Sequence, residues 1–369
     1  MAMQRLVIYP YDADFAPVVR YAGLMRPDYE VAHLVSPRSW GHVGTVVYPE
    51  GEQENALTVD ATFDKAAGGG YTLFVPNFEA LYEGERAVLN RIIENLPAFV
   101  GVICEKRWRK ENQQVLASAC LDRKIPLQMT RRPDPAWLNE MIFEDSHLEE
   151  IDVPIIAVAG LWEGTDKFEV SMGIAQRLRA DGYHVTQIGA RDYIDMLGEH
   201  TLPAFLFRKD LDGEGKILRM NRFLQKLARE EQPDVILLTL PGAMQSLNMH
   251  FTGGFGVIPY LLGQAAVIDY LVVCSIFEPD YHEALEAIGQ ACLYRLGCGV
   301  NFYHMSNLLI DFQGTMQRRV LEASRVERPL ARQIIAQRYG EDMDIPVEDC
   351  TGEKGLERLY QDVIRHLSV

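Results

Sequence analysis

The chain has little positive charge for its size. It carries 36 Lys and Arg against 52 Asp and Glu, which gives a net charge of −16. The most concentrated basic stretch is the short run Lys106-Arg107-Trp108-Arg109-Lys110. Binding to nucleic acid or to an anionic membrane surface depends on clustered positive charge. We therefore expect no nucleic-acid partner and no membrane partner.

Long apolar runs are also lacking. No stretch approaches the roughly 20 apolar residues of a membrane-spanning helix. The first ten residues do not contain the apolar core of a signal peptide and lead directly into a predicted strand. The sequence therefore predicts no membrane segment and a cytoplasmic location.

Recognisable metal-ligand and nucleophile motifs are missing as well. The six cysteines include no C-x-x-C pair, which favours reduced cysteines that pack in the core. The histidines that invite a metal interpretation lack i, i+4 spacing and a partnering carboxylate; they are His250, His282 and His304. The sequence therefore predicts no metal site, and it assigns no catalytic residue.

Short apolar runs alternate with helical segments along most of the chain. This alternation predicts parallel sheets with helices on both faces. It stops at Arg131-Arg132-Pro133-Asp134-Pro135 and an acidic stretch follows, so we place a domain boundary between Glu140 and Asp152. The predicted fold is α/β, with two Rossmann-like three-layer domains built on mainly parallel sheets. The first, residues 1–145, is flavodoxin-like or Rossmann-like, and the second covers residues 152–369.

The most informative stretch begins the second domain. An apolar run ends at Gly160, a short loop follows, and a helix is predicted from Lys167. A strand that leads through a glycine-bearing loop into a helix N-terminus is typical of a phosphate-binding loop. Two positions depart from that pattern. Asp166 replaces a second glycine, and Phe168 replaces the Ser or Thr that would hold Mg²⁺.

The same residues have a structural interpretation. Asp166 and Glu169 fit a capping box, with Asp166 as the N-cap of the helix. A carboxylate at that position would repel a triphosphate. Three alternatives stay open: a working nucleotide-hydrolysing loop, a site for a nucleotide-like or other anionic ligand without hydrolysis, and a structural loop.

Ligands of open parallel sheets bind beyond the carboxyl ends of the strands. The candidate binding residues in the second domain are therefore Gly160, Gly164, Thr165, Lys167, Gly242 and Asn307. A cofactor is not identified, although a nucleotide is the candidate. A second glycine-rich stretch, residues 252–256, is either a ligand-approaching loop or a connector. Residues 241–250 form either an exposed partner-binding loop or a short amphipathic helix.

Several of these segments carry a family resemblance. Residues 160–167 have the length of the phosphate loop in dethiobiotin synthetase and its nitrogenase-iron-protein-like relatives. The strand 234–240, followed by Pro241-Gly242, is similar to their second nucleotide strand but lacks its acidic residue. Residues 167–170, 182–191 and 235–242 resemble a peptide maturation system protein family of clostridial-type gene clusters. Those clusters encode a Cys-rich precursor peptide, a radical SAM maturase and an acyl-carrier-related protein. The resemblance covers the second half well and the first half by pattern only.

The resemblance implies an accessory protein of ribosomal peptide natural-product maturation. Its second domain would be a degenerate P-loop NTPase-like domain that binds a partner or a small anionic ligand without hydrolysis. Whether the protein is an enzyme stays open, and a role without catalysis is favoured. The implied partners are the precursor peptide, the radical SAM maturase or the acyl-carrier-related protein. One alternative is a nucleotide-dependent ligase or phosphotransferase that uses Lys167. Another is a binding module for a carrier protein or a leader peptide.

Overall fold

The structure, a computed structural model, describes residues 3–49, 55–78, 84–130, 132, 134–140, 147–280, 282–339 and 344–367. These residues form two compact units, each built on a seven-stranded, largely parallel sheet flanked by helices. The predicted α/β fold with two Rossmann-like three-layer domains is confirmed. Within the described ranges, no helix is both long enough and apolar enough to span a bilayer.

Unit 1 consists of Met1–Arg132 together with Asp192–Gly198. Its sheet has the strand order β3-β4-β2-β1-β5-β6-β7, in which only β3 and β4 pair antiparallel. The elements are β1 (Gln4–Ile8), α1 (Ala16–Arg20), β2 (Tyr29–Val35), β3 (Val46–Val47), β4 (Leu57–Asp60), β5 (Tyr71–Val75), α2 (Glu85–Asn95), β6 (Phe99–Cys104), α3 (Lys110–Asp122) and β7 (Leu127–Met129).

The sequence pattern predicts helices over 15–25 and 78–95 in the first domain, and both differ from the observed helices. The predicted helix over 15–25 is reduced to α1, because Pro17 stands at its start and the chain then tightens into a 3₁₀ turn at Ala22–Leu24. The predicted helix over 78–95 is observed only as α2, and residues 79–83 lie outside the described ranges. Apolar runs predict strands over 6–9, 30–34, 72–75, 99–104 and 125–129, and β1, β2, β5, β6 and β7 agree with them to within two residues at each end. The sequence did not predict β3 and β4.

Unit 2 consists of Pro133–Arg191 and Glu199–Val369. Its sheet is entirely parallel, with the order β10-β9-β11-β8-β12-β13-β16, and β14 and β15 form a separate antiparallel ribbon. The elements are α4 (Ala136–Glu140), β8 (Ile155–Gly160), α5 (Lys167–Ala180), β9 (Val185–Gly189), β10 (His200–Thr201), α6 (Gly213–Glu231), β11 (Val235–Thr239), α7 (Val257–Ala265), β12 (Tyr270–Ser275), α8 (His282–Leu296), β13 (Phe302–Met305), β14 (Leu308–Ile310), α9 (Phe312–Arg318), β15 (Ala323–Arg325), α10 (Arg328–Arg338), β16 (Val347–Glu348) and α11 (Glu353–Leu367).

The central strand β8 shows how the layers of unit 2 are built. Ile155, Ala157 and Ala159 contribute to the core that contains apolar side chains of α6, α7 and α8. Ile156 and Val158 contribute to the opposite core, with α5 and α11. Successive strand residues point to opposite faces of the sheet. A strand made only of apolar residues therefore contributes side chains to the cores on both faces. The strand ends at Gly160, between β11 and β12, and so places the following loop at the middle of the sheet edge.

The units divide the chain differently from the predicted boundary at Glu140–Asp152. The first segment of unit 1 ends at Arg132. Its second segment is residues 192–198, which the prediction assigned to the second domain. Part of the predicted boundary, residues 141–146, lies outside the described ranges. A short segment that returns to an earlier unit leaves no compositional signal, which is why strand–helix alternation did not reveal it.

The returning segment is held by both packing and charge. The ring centroid of Tyr193 lies 5.6 Å from those of Phe15 and Phe74, and Tyr193 is 2% exposed. Asp192 accepts hydrogen bonds from Arg107, at 2.9 Å, and from Arg132. The segment therefore supplies apolar packing and ion pairs that residues 3–132 do not supply for themselves.

We predict that Tyr193→Ala destabilises unit 1. Removal of a buried aromatic ring from a packed core costs about 3–5 kcal/mol, and the Phe15 and Phe74 rings would lose their partner. Tyr193→Phe is the control, because it keeps the ring, and its loss of unfolding free energy should be smaller. Urea unfolding of the full chain, followed by circular dichroism, measures both. An alanine variant that unfolds like wild type would contradict the packing role of the segment.

Candidate functional site

The backbone of the predicted phosphate loop has the conformation that a glycine would favour, although the residue is Asp166. β8 ends at Gly160 and α5 begins at Lys167. Asp166 has φ 62° and ψ 14°, in the left-handed region, and Gly164 has φ 75°. A residue with a Cβ atom pays roughly 1–2 kcal/mol there, and Asp is among the few types that adopt the conformation. Some compensating interaction must therefore hold Asp166 in place.

The capping-box prediction is wrong. The Asp166 side chain accepts no hydrogen bond from the first turn of α5. An N-cap residue normally has extended backbone angles, which aim its side chain at the helix N–H groups. The left-handed backbone instead turns the Asp166 carboxylate toward the end of β13. There the hydroxyl of Ser306 donates to Oδ2 at 2.5 Å.

Two arginines complete the surroundings of this carboxylate. Arg325, at the end of β15, and Arg328, at the start of α10, each donate to Oδ1 of Asp166 at 3.3 Å. The Asp166 side chain is only 7% exposed. We call the four groups that donate to it the Asp166 cradle: His304, Ser306, Arg325 and Arg328.

The hydrogen-bond pattern fixes the tautomer of His304. Its Nδ1 accepts the backbone N–H of Cys350 at 2.9 Å, so the neutral ring carries its proton on Nε2. Nε2 lies 3.4 Å from Oδ2 of Asp166 and donates to it. Both ring nitrogens of this fully buried residue are thus engaged. Across the described ranges, no group of three His, Cys, Asp or Glu is arranged to hold a metal ion.

A second buried carboxylate orders the arginines. Asp349 accepts from Arg332 Nε at 2.8 Å and from the Thr351 hydroxyl at 2.5 Å, and it lies 3.6 Å from Nη1 of Arg328. Arg328 therefore faces three carboxylates: Asp166, Asp349 and, at 3.7 Å, Glu169. This arrangement leaves its guanidinium little freedom to turn away from Asp166.

The charge state of Asp166 follows from these contacts. Burial alone would raise its pKa. The hydrogen bond from His304 and the charges of Arg328 and Arg325 more than offset burial, and they hold the pKa of this carboxyl well below its usual range. Asp166 is therefore ionised at neutral pH.

Lys167 is packed back over the start of the loop. A Cβ atom added to Gly160 would lie 2.5 Å from Cδ of Lys167, so only glycine leaves room for the lysine side chain. Its ammonium donates to the carbonyl of Gly242 and lies 3.7 Å from Glu163. Burial lowers the pKa of Lys167, against the opposing charge of Glu163.

The structure brings most of the predicted binding residues together. Gly160, Lys167 and Gly242 are in contact as described above. The hydroxyl of Thr165 is buried and donates to the carbonyl of Trp162 at 2.9 Å, which closes the loop on itself. The carbonyl of Gly164 accepts from Arg325 at 3.1 Å.

Asn307 has a positioning role in this arrangement. Its side-chain oxygen accepts from Nη1 of Arg325 at 2.9 Å, and its amide nitrogen donates to the carbonyl of Val326 at 2.6 Å. Both ends of the amide are therefore used within the protein. Asn307 sets the direction of Arg325, and so it acts on the Asp166 cradle through that side chain.

The residues present do not fit a magnesium-bound nucleoside triphosphate. At the position of a metal-binding hydroxyl, the ring of Phe168 is 7% exposed and lies 5.4 Å from the Arg191 guanidinium. β11 ends at Thr239, whose hydroxyl donates to the hydroxyl of Ser171 at 2.8 Å. The residues that follow, Leu240 to Gly242, include no carboxylate. Metal-assisted phosphoryl transfer by a phosphate loop needs both a hydroxyl and a carboxylate that hold the metal ion.

The segment that follows β11 covers the start of the loop. The N–H of Met244 donates to the carbonyl of Gly160 at 3.0 Å. A Cβ atom at Gly256, where φ is +69°, would lie 2.0 Å from the carbonyl oxygen of Met244, which explains a glycine there. Residues 241–250 have irregular backbone, so the amphipathic-helix alternative for them is wrong.

The arginines of the cradle were not predicted from the sequence. Arg325, Arg328 and Arg332 follow one another at spacings of three and four. Arg328 and Arg332, four residues apart, share one face of α10, and Pro329 marks the first turn of that helix. Arg325 precedes the helix, at the end of β15. A cationic helix face was thus readable, but its partner carboxylate lies more than 150 residues earlier in the chain.

Comparisons with known proteins support the fold alone. No protein-family model matches the chain, and no curated protein matches it significantly. Among solved structures, it is similar to the crystal structure of a DUF1611 family protein from Anabaena variabilis. That similarity has a TM-score of 0.63 at 12% sequence identity and covers 98% of this chain and 99% of the other. At this identity the likeness describes architecture and assigns no activity.

We predict different stabilities for two substitutions of Asp166. Asp166→Ala removes the counter-charge of two arginines but keeps a Cβ atom in the left-handed region, and it should lower the unfolding free energy by about 2 kcal/mol. Asp166→Gly removes the same charge but relieves the backbone, so it should be more stable than the alanine variant by about 1 kcal/mol. Urea unfolding measures both. A glycine variant less stable than the alanine variant would contradict the backbone assignment.

The depressed pKa of Asp166 predicts a pH dependence. An unfolded Asp has a pKa of about 3.9, and the folded value is lower. The carboxylate therefore stabilises the fold above that pH, and the stabilisation is lost as the pH falls toward the folded value. The difference in unfolding free energy between wild type and Asp166→Asn should be constant from about pH 5 to 7 and shrink below about pH 4. A difference that does not shrink in acid would show that Asp166 is not an ionised partner of the arginines.

Proposed function

We propose that this protein is a binding protein for a small anionic ligand, which it does not hydrolyse. The observation that carries the proposal is the Asp166 cradle. Two guanidinium groups, a hydroxyl and an imidazole N–H converge on a single carboxylate beside the N-terminus of α5. Such a set of donors matches the oxygens of a carboxylate or a phosphate group.

In this structure the cradle holds the chain's own carboxylate, which competes with any anionic ligand. An incoming anion has to displace Asp166 or share the arginines with it. Arg325 and Arg328 keep 36% and 27% side-chain exposure, respectively, so an anion can reach them from solvent. The proposed ligand therefore exchanges with Asp166 at the guanidinium groups.

The same residues argue against hydrolysis. Phe168 offers no oxygen to a metal ion, and the ammonium of Lys167 is engaged by the carbonyl of Gly242. Nucleotide hydrolysis relies on a cation and a positioned metal to neutralise charge that develops in the transition state. Binding without turnover is what this arrangement supports.

The resemblance to the peptide maturation system family supplies a context for the proposal. In that context the protein is an accessory factor of ribosomal peptide natural-product maturation, and its partners are the precursor peptide, the radical SAM maturase or the acyl-carrier-related protein. The anionic ligand would then be a group carried by one of those partners or a small molecule of the pathway.

One observation favours a second candidate, a nucleotide-dependent ligase or phosphotransferase that uses Lys167. This lysine is buried at the helix N-terminus, and burial lowers its pKa, as it does for lysines that act chemically. The candidate requires Lys167 to leave Gly242 and contact a phosphate. This candidate predicts that the protein turns over a nucleotide and that the turnover is lost when the Lys167 ammonium is removed.

We predict that Asp166→Gly gains affinity for phosphate-bearing ligands. The substitution removes the competing carboxylate and leaves the arginines and Lys167 in place, so pyrophosphate should bind at least tenfold more tightly than to wild type. Asp166→Asn is the matched control, because it removes the charge but keeps the volume, and its gain should be smaller. Isothermal calorimetry with pyrophosphate, ATP and GTP measures the affinities.

Adding Lys167→Met to Asp166→Gly should reduce the gained affinity, since a cation is lost. If wild type and both Asp166 variants bind none of the three ligands, the anion-binding proposal is wrong. Steady phosphate release from ATP or GTP with Mg²⁺, lost in Lys167→Met, would establish the enzyme candidate instead.

A further inference from the structure

The Asp166 cradle belongs to a larger charged network. Arg328, which donates to Asp166, also lies 3.6 Å from Asp349 and 3.7 Å from Glu169. Asp349 is in turn paired with Arg332 at 2.8 Å. The network therefore joins three guanidinium groups to three carboxylates: Arg325, Arg328 and Arg332 with Asp166, Glu169 and Asp349.

The three carboxylates of this network are buried. The side chains of Asp166, Glu169 and Asp349 are 7%, 6% and 1% exposed, respectively. Buried carboxylates persist where opposite charges compensate them, and the guanidinium groups supply one positive charge for each. His304 adds no charge, because its Nδ1 accepts the N–H of Cys350 and so holds no proton. The network is therefore neutral when one negative charge stands at the position of Asp166.

This balance limits the charge of an anion that replaces the Asp166 carboxylate. A monoanion restores the neutral network. A dianion leaves one negative charge in excess, close to Glu169 and Asp349, which share Arg328 with the ligand. Repulsion between like charges is stronger in a buried site than in water. The network therefore favours a monoanion over a dianion such as sulfate.

The four contacts of the cradle also fit the shape of a carboxylate. Ser306 and His304, which are both fully buried, donate to Oδ2 of Asp166. Arg325 and Arg328, which are partly exposed, donate to Oδ1. Each oxygen of a planar group thus receives two donors. A phosphate or sulfate group carries further oxygens, which these four contacts do not serve.

We infer that the anion that exchanges with Asp166 is a small organic monocarboxylate, bound through its carboxylate group. This inference rests on the proposed anion-binding function and narrows the class of ligand from anions in general to carboxylates. One oxygen of the ligand takes the position of Oδ2 beside Ser306, and the other faces the arginines. A second charged group close to the first would again unbalance the network, so the adjoining carbon atoms are uncharged.

The test uses Asp166→Gly, because acetate reproduces the methylene and the carboxylate that this substitution removes. Equilibrium dialysis of the full-length variant with radiolabelled acetate, methanesulfonate and sulfate measures binding at constant ionic strength. Acetate should bind at least tenfold more tightly than sulfate, because it restores the neutral network. Methanesulfonate, a tetrahedral monoanion, should fall between them. Wild type should bind acetate at least tenfold more weakly than the variant does, because its own carboxylate occupies the cradle.

Asp166→Ala provides the same test with formate, which reproduces the carboxylate that alanine lacks. Formate should bind to this variant at least tenfold more tightly than sulfate. This pair keeps the inference testable if the glycine variant does not fold.

The charge balance is tested separately in the Asp166→Gly background. Adding Glu169→Gln removes one buried negative charge, so the preference for acetate over sulfate should fall severalfold. Glu357→Gln is the matched control. It makes the same change at a half-exposed carboxylate that lies 3.8 Å from Arg177, outside the network, and it should leave the preference unchanged.

The inference is overturned if Asp166→Gly binds sulfate at least as tightly as acetate, or if Glu169→Gln leaves the preference for acetate unchanged. Binding of pyrophosphate without binding of acetate would overturn it too. Each of these results leaves the anion-binding proposal standing. If the variant binds neither pyrophosphate nor any of the three labelled anions, the proposed function itself is wrong and the inference fails with it.

Discussion

The second unit is organised around one charged contact, the carboxylate of Asp166 against the guanidinium groups of Arg325 and Arg328. Asp166 belongs to the loop after the central strand β8. Its partners come from the ribbon and from the start of α10, and its hydroxyl and imidazole donors come from the end of β13. The contact thus ties the stretch from His304 to Arg328 to a loop that lies at least 138 residues earlier in the chain, at the carboxyl edge of one sheet. The left-handed backbone of the loop depends on it.

Such a contact fixes conformation more than it adds net stability. Taking a carboxylate to 7% exposure costs desolvation energy, which the arginines offset. If Asp166 is removed, Arg325 and Arg328 are left without their counter-charge. The loss of unfolding free energy is therefore larger than the net stabilisation that the intact contact provides. Asp349 and Asn307 belong to the same arrangement, because Asp349 contacts Arg328 and Asn307 contacts Arg325. They hold the arginines in the direction that the loop requires.

The sequence was sufficient for the architecture and for the position of the loop. Apolar runs with β-branched residues predicted nearly every central strand, and the helices predicted over 167–180 and 353–367 have the same bounds as α5 and α11. The short strands β3, β4, β10, β14, β15 and β16 were missed, since a run of two to four residues is too short to show a period. The Asp166 cradle could not be predicted, because its members meet only through the parallel order of β8 and β13. A helix-capping pattern at Asp166 was the stronger local signal, and tertiary contacts overrode it.

The return of residues 192–198 to unit 1 bears on how the protein is made. Once residue 132 has been synthesised, every strand of the first sheet is present. The Tyr193 ring, which packs on Phe15 and Phe74, is then still more than 60 residues from synthesis. Domains commonly fold one after another as they emerge. Here the first unit waits for a part of the second half, so its apolar surface stays uncovered during that interval. Apolar surface that is exposed during synthesis favours aggregation until its covering segment has been made.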